Sequence, residues 1–181
     1  MMFTEFPTFK FGNYALREIN AVQDAELFYK YILQEEVSDF IGADSIPNNV
    51  NHAQRELAYW GSLFSLGRSY YWAIANELNQ IIGTAGFNNI SRQHLRGEIS
   101  YDLDKNYWGR GIMTNAVYNI VEHAFNKMGL VRIQATVGQH NPRSIKTLEN
   151  LGFKKEGELV NYERLKGKHH DFFMYAVTRN V

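Results

Sequence analysis

The sequence predicts a mixed α+β fold, with a central, twisted, mostly antiparallel sheet of about seven strands and helices on both of its faces. Three observations predict it. Apolar residues recur at helical spacing up to Leu66, then give way near Tyr70 to short aromatic and β-branched runs. Three such runs follow one another with only turn-like breaks between them, the pattern of an antiparallel meander. From Gly111 onward, helical and strand-like segments alternate.

Taken in order, Tyr14 to Ile19 is a short strand. Asp24 to Leu33 is a helix with Ala25, Phe28, Tyr29 and Ile32 on one stripe. An acidic stretch with Glu35, Glu36, Asp39 and Asp44 follows and reads as a mobile connection or short helix ending near Pro47. Asn51 to Leu66 is helical, with Ala53, Leu57, Trp60 and Phe64 at steps of three and four. Tyr70 to Asn76, Gln80 to Asn88 and Arg96 to Leu103 form the meander, broken at Asn76–Asn79 and Asn89–His94. Gly111 to Met128 is the strongest helix. Ile112, Ala116, Ile120 and Ala124 form one row, Met113, Val117, Val121 and Phe125 the next, and Gly129 ends it. Val131 to Val137 is a strand. Asn141 caps a further helix that has Pro142 in its first turn and stops at Gly152. Phe153 to Val160 and His169 to Thr178 close the chain as strands.

The 181 residues suit one domain, spanning residues 1–181, and show no linker, low-complexity tract or internal repeat. Hydrophobic residues make up 45% and charged residues 21%, a globular balance. Lys plus Arg and Asp plus Glu are 19 each, so there is no overall field for nucleic acid or an anionic membrane. The absence of cysteine excludes disulfides, thiolate metal sites and a cysteine nucleophile. Met1 to Tyr14 carries Glu5, Pro7 and Lys10 and makes a poor signal peptide, and no apolar run approaches membrane-spanning length. The expected location is the cytoplasm. The six histidines lack ligand spacing: His169 and His170 point to opposite faces of a strand, and His52, His94, His123 and His140 are scattered. No metal is expected. His140, beside the helix at Pro142, reads as a polar loop residue.

The chemistry concentrates in Tyr101 to Thr114, Y-D-L-D-K-N-Y-W-G-R-G-I-M-T. A strand ends, Gly109 and Gly111 follow, and a long helix begins. The first turn of a helix offers unpaired N–H groups at the positive end of its dipole, the glycines admit an anion to the backbone, and Arg110 adds a cation. A phosphate or pyrophosphate is the expected guest; a tight ligand-free turn is the bland alternative. The dinucleotide fingerprint fails, because Thr114 stands where its third glycine belongs and the next strand lacks an acid. The P-loop combination is absent.

The stretch N-Y-W-G-R-G-I-M-T resembles the acetyl-CoA pyrophosphate loop of the GNAT acyltransferase superfamily, usually Gln/Arg-x-x-Gly-x-Gly/Ala. Asn106 stands at the Gln/Arg position, a departure common in the branch similar to RimJ and RimL. Y-Y-W-A-I-A-N-E-L-N-Q-I-I-G-T-A-G-F is similar to the family's second and third strands. N-P-R-S-I-K-T-L-E-N-L-G-F resembles its fourth helix and the following Gly-Phe. E-G-E-L-V-N-Y-E-R-L-K-G-K-H-H-D-F-F-M-Y resembles the last two strands of the RimJ/RimL type. The match covers nearly the whole chain in order. It implies a GNAT-type fold and acetyl transfer from acetyl-CoA to an amine, most typically the N-terminal α-amine of a ribosomal protein.

The resemblance implies site residues as well. Trp108, Gly109, Arg110, Gly111, Ile112, Met113 and Thr114 would carry the pyrophosphate through backbone N–H groups. The family's strand before this loop bulges and splays from its neighbour, so Tyr101, Asp102 and Leu103 would meet pantetheine with their backbone. Asn141, besides capping its helix, would contact the pantetheine arm. Ser144 would protonate, or hydrogen-bond, the departing CoA thiolate, the hydrogen bond more than full proton transfer because a serine hydroxyl is a weak acid. Two carboxylates compete as base: Glu163, preferred, at the position of the RimL-like candidate, and Glu98, on the strand leading into the loop. As ordinary residues these would be a solvated hydroxyl and exposed strand carboxylates. The acidic stretch Glu35 to Asp44 would attract a basic peptide or serve only as a solvated loop. A small acceptor amine, such as an antibiotic or polyamine, and a non-catalytic acetyl-CoA-binding module are the rival readings. The serine and both carboxylates favour an enzyme over the latter. Monomer and homodimer stay open.

Overall fold

A computed structural model describes residues 5–179; the first four residues of the segment weighed as a leader lie outside them. The described residues form strands β1 (Phe9–Phe11) and β2 (Tyr14–Glu18), helices α1 (Ala21–Ile32) and α2 (Glu35–Ser38), a 3₁₀ turn at Ala43–Ser45, and helix α3 (Val50–Ser65). Strands β3 (Tyr71–Ala75), β4 (Ile81–Ser91) and β5 (Arg96–Leu103) follow, then a 3₁₀ turn at Lys105–Tyr107 and helix α4 (Ile112–Asn126). Strand β6 (Arg132–Gly138), helix α5 (Pro142–Asn150), and strands β7 (Lys154–Leu165) and β8 (Lys168–Thr178) complete the order. Among the described residues no helix is long and apolar enough to cross a membrane.

The strands make one sheet in the order β1-β2-β3-β4-β5-β6-β8-β7. Neighbours are antiparallel except β5 and β6, which run parallel. Side-chain alternation divides β3 between two cores. Trp72 and Ile74 face α4 and α5 with Phe87, Ile99 and Ile133, whereas Tyr71 and Ala73 face α1 and α3 with Phe28 and Leu57. Covering both faces accounts for the fully buried run Tyr71–Ala75. Both predicted rows of α4 point inward, Phe125 being only partly covered. On α1, Tyr31 is buried, a position outside the predicted stripe.

The sheet has eight strands, one more than expected. The extra strand, β1, is three residues long and too short to show alternation. It turns back at Gly12, whose φ of 54° suits glycine. Its Phe9 ring sits 6.3 Å from Trp72, and the Trp72 indole donates to the Pro7 carbonyl at 2.7 Å. A fully buried tryptophan thereby satisfies its polar atom and ties down the chain start.

Two strands outrun their predicted ends for the same reason, a partner ladder overriding local propensity. β4 continues through Asn89 to Ser91 because these residues pair with Arg96–Glu98. β7 continues past Val160 to Leu165, paired with β8, and the tip at Lys166 and Gly167 has positive φ at both residues, as a tight hairpin turn requires. The β7 ladder is interrupted between Leu159 and Glu163. There Asn161 takes a φ of 53° and its N–H donates to the Asp171 carboxylate at 2.7 Å. The acidic stretch resolves into α2 and the 3₁₀ turn at Ala43–Ser45.

Candidate active site

The site is built where β5 and β6 part. They pair only over Arg96–Glu98 against Arg132–Gln134. Beyond that, β5 stays with β4 as far as Leu103, and β6 stays with β8 as far as Gly138. One edge of β5 is thus left without a strand partner from Ile99 onward. The register irregularity that accompanies this lies in β4, where Asn88 is the extra residue between Phe87 and Asn89. This corrects the expectation of a bulge in the strand before the loop. A bulge increases local twist, so an extra residue in β4 bends the ribbon that β5 must follow.

The opening is part of a groove of about 750 Å³. It passes between the strands, so both faces of the sheet contribute. On the α4 and α5 side it is lined by Tyr101, Trp108 to Thr114, Asn141 and Ser144; on the α1 and α3 side by Trp60, Tyr71, Asn88, Ser100 and parts of the connection between Glu36 and Ser45; Glu163 of β7 also lines it.

Helix α4 enters this groove with its first turn open. Helices α1, α3 and α5 are capped by the side chains of Asn20, Asn49 and Asn141. α4 starts instead at Gly111, φ 70°, with no side-chain cap. Its first N–H groups therefore face the groove at the positive end of the helix dipole. Gly109, φ 76°, also takes the left-handed conformation. The loop before it is braced internally. Asp104 accepts from the backbone and side-chain nitrogens of Asn106, each at 2.9 Å, and the Trp108 indole donates to the Leu103 carbonyl at 2.8 Å. Arg110 donates to the Asn106 carbonyl at 2.9 Å and lies over the Tyr107 ring. Arg143, from α5, stacks 4.4 Å above Trp108, and Lys146 joins it on the groove wall. This cationic side of the groove is written in N-P-R-S-I-K but was not singled out from the sequence.

Asn141 receives the Ser144 N–H on its side-chain oxygen at 3.1 Å, which leaves its amide N–H₂ as a donor. The Ser144 hydroxyl lies 2.8 Å from the Tyr101 hydroxyl. Burial drives the Tyr101 pKa well above that of an ordinary phenol, so this group is a neutral hydroxyl. The Asp102 side chain turns to the opposite face, where its two oxygens accept from the Tyr31 hydroxyl at 2.6 Å, the Thr84 hydroxyl at 2.6 Å and the Thr84 N–H at 3.2 Å. Burial raises its pKa, while these donors favour the carboxylate. The carboxyl therefore ties β5 to α1 and β4, and its backbone stays on the open edge.

The two competing carboxylates are separated. Glu98 sits on the paired part of β5, outside the groove lining, and accepts from the Gln134 amide at 3.3 Å. Glu163 lines the groove, half-buried, and burial raises its pKa. Gly42 approaches it so closely that a Cβ there would lie 3.3 Å from its carboxylate oxygen.

Sequence reasoning missed the acceptor-side wall. Trp60 stacks on Tyr71 with centroids 5.1 Å apart. The Tyr71 hydroxyl, pushed up to about 12 mainly by burial, meets Asn88 and lies 2.9 Å from the Ser100 hydroxyl, which donates to Asn88 at 2.8 Å. These residues are distant in sequence, and no local spacing joins them. The acidic stretch is largely neutralised within the chain: Glu36 pairs with Lys105 at 2.9 Å, and Glu35 and Asp39 meet Lys166. His140 lies between the tilted rings of Phe40, at 5.3 Å, and His170, at 4.9 Å, outside the groove lining. His169 turns away toward the Asn161 carbonyl. Among the described residues no cluster could hold a metal ion.

The raised pKa of Glu163 predicts a stability effect. A carboxyl with a higher folded than unfolded pKa contributes stability at low pH and loses it as pH rises through the folded value. Glu163→Gln is therefore expected to raise the melting temperature above neutrality, with the gain disappearing below the carboxylate range. Thermal melts of both proteins across pH check this.

Comparison with known proteins agrees with this geometry. The model of the acetyltransferase (GNAT) domain matches residues 14–154. The chain is 33% identical to an uncharacterized N-acetyltransferase of Bacillus licheniformis, over 87% of this chain and 89% of that one. The solved structure of ribosomal-protein-S5-alanine acetyltransferase from Vibrio fischeri superposes with a TM-score of 0.86 at 28% identity, covering 95% of this chain and 96% of that one. RimL, a ribosomal L7/L12 α-N-protein acetyltransferase solved in complex with coenzyme A, has the same fold, with a TM-score of 0.84 at 20% identity over 92% and 94% of the two chains. The chain thus belongs to the GNAT family of acetyltransferases and is related to its ribosomal-protein N-acetyltransferases.

Proposed function

We propose that the protein transfers acetyl from acetyl-CoA directly to a primary amine, the N-terminal α-amine of a protein, with ribosomal proteins as the first class to test. One observation carries this reading: the uncapped start of α4, the open edge of β5, Ser144 and Glu163 all border one groove that runs through the sheet. The coenzyme A complex of RimL and the activity named for the Vibrio fischeri relative support it.

In this reading the pyrophosphate sits on the backbone N–H groups from Trp108 to Thr114, with Arg143 and Lys146 nearby. The pantetheine arm pairs with the open backbone of Tyr101 to Leu103 and takes the free amide of Asn141. The acceptor approaches from the Trp60 and Tyr71 side, so the amine and thioester meet in the opening between β5 and β6. The amine attacks the thioester carbonyl and its proton passes to Glu163, through a water where the two do not touch. The C–S bond then breaks, its electron pair goes to sulfur, and the Ser144 hydroxyl hydrogen-bonds the thiolate. Glu98, outside the groove lining, takes no part. A single carboxylate suits an α-amine. With a pKa near 7.8 such an amine is about a quarter neutral at physiological pH, against roughly one part in a thousand for an alkyl amine near 10.4. The protein is read as one domain acting in the cytoplasm without a metal.

Incubation with labelled acetyl-CoA and a panel of ribosomal-protein N-terminal peptides, polyamines and aminoglycosides, read by product mass, tests the acceptor class. Acetylated peptide termini are expected; acetylation of small amines alone would move the chain to the rival reading. Gly111→Val should weaken acetyl-CoA binding by at least about tenfold, because a β-branched residue resists positive φ and a Cβ stands where the phosphate approaches; calorimetry measures it. Glu163→Gln should cut turnover at neutral pH by about 10²-fold, the loss shrinking as pH rises and the amine arrives neutral. The wild-type rate should rise with pH through a carboxylate pKa above the ordinary value, because burial raises it. A rate profile across pH for both enzymes checks the pair.

A further inference from the structure

We propose that Tyr101 is a positioning residue for the leaving-group step: its buried phenol donates to the Ser144 hydroxyl and so directs the serine proton at the sulfur of the thioester. The proposal rests on the reading of Ser144 as the group that meets the thiolate.

The geometry carries it. Tyr101 lies on the part of β5 that has lost its β6 partner, and its side chain crosses to the first turn of α5. Its hydroxyl oxygen is 2.8 Å from the Ser144 hydroxyl and 3.3 Å from the Ser144 carbonyl oxygen. Both residues line the groove.

A phenol has one proton and a serine hydroxyl has one, so the pair has two arrangements. In one, Ser144 donates to Tyr101, Tyr101 donates to the Ser144 carbonyl, and the serine has no proton left for a ligand. In the other, Tyr101 donates to the Ser144 oxygen and the serine proton is free to point into the groove. Negative charge on sulfur selects the second arrangement. The chain phenol to serine to sulfur then strengthens along its length, because each donor is polarised by the next.

Burial also decides what the pair does not do. Passing a proton down the chain would leave a phenolate at Tyr101, and loss of water around this phenol makes that form costly. A thiol, with a reference pKa near 8.5, is content as a thiolate when its negative charge meets a donor. The balanced step is therefore collapse of the tetrahedral intermediate: the C–S bond breaks, the electron pair goes to sulfur, and Ser144 and Tyr101 keep their own protons. The thiolate takes its proton from solvent after release.

This arrangement gives Tyr101 a task that a packing residue lacks. Phenylalanine would fill the same space and leave Ser144 free to rotate toward its own carbonyl or toward water. Activity should fall while the acetyl-CoA contacts persist.

A double-mutant cycle tests this, with kcat and KM for acetyl-CoA measured for wild type, Tyr101→Phe, Ser144→Ala and the double variant, and calorimetry giving acetyl-CoA affinity. Tyr101→Phe is expected to lower kcat by about tenfold, the upper end of what one hydrogen bond between neutral groups contributes. KM and affinity should change less than about twofold. In the Ser144→Ala background the same substitution should cost nothing further. Equal losses in the two backgrounds would mean that Tyr101 acts without Ser144 and would overturn the proposal. So would a Tyr101→Phe enzyme with unchanged kcat, or one whose loss appears wholly in acetyl-CoA affinity. If Ser144→Ala is itself silent, the reading of Ser144 fails and the proposal falls with it. If Ser144→Ala is slow and Tyr101→Phe is not, the proposal alone fails.

Discussion

The rest of the molecule depends on one interruption: two parallel neighbours, β5 and β6, hydrogen-bond over three residue pairs and then separate. A sheet gains from pairing every backbone group, so an opening inside it must be held by something else. Here each strand keeps its other partner, β4 for β5 and β8 for β6, and neither is left wholly unpaired. What remains is a free backbone edge on each strand, β5 beyond Glu98 and β6 beyond Gln134, facing each other across the opening. A groove forms there because no side chains fill it, and helices α4 and α5 open onto it.

Several polar contacts keep the opening in shape. The Asn88 bulge shifts the register by one residue and lets β4 turn while it stays paired with β5 on either side. Its side chain gathers Tyr71 and Ser100 across two strands. The Asp102 carboxyl binds the diverging end of β5 to α1 through Tyr31 and to β4 through Thr84. A carboxyl at this depth costs free energy, and three donors offset it. Replacing them with apolar contacts would leave the position of the strand less exactly specified, since packing is less directional than hydrogen bonding.

The connection between α1 and α3 borders the acceptor side and is held by charge. Lys105 and Lys166 come from two elements distant in the chain, the turn before α4 and the β7–β8 tip. Each takes acidic partners from the connection. Such exposed pairs contribute little to global stability, about 0–1 kcal/mol each. Their effect is local, fixing the segment that carries Phe40, Ile41 and Gly42 along the groove wall. Glu163, which also lines the groove, has no ion pair among the described residues, and burial raises its pKa.

The sequence by itself determined the order of the longer elements and the chemistry of one strand-to-helix turn. Both are local. Helical spacing in α4, the glycine pair before it, and the Asn141-Pro142 start of α5 are set by residues within a few positions of one another. The short β1 and the long ends of β4 and β7 were not legible, because pairing with a distant strand makes them strands. Trp60 and Tyr71, or Asn88 and Ser100, meet only after the sheet has formed. The rivalry between Glu98 and Glu163 shows the division most plainly. Both are strand carboxylates, and each balances nearby polar groups in the sequence. Only the tertiary structure sets Glu98 on the closed part of β5 against Gln134 and Glu163 on the lining of the groove, because the point at which β5 and β6 separate is decided by long-range pairing and by the bulge in a third strand.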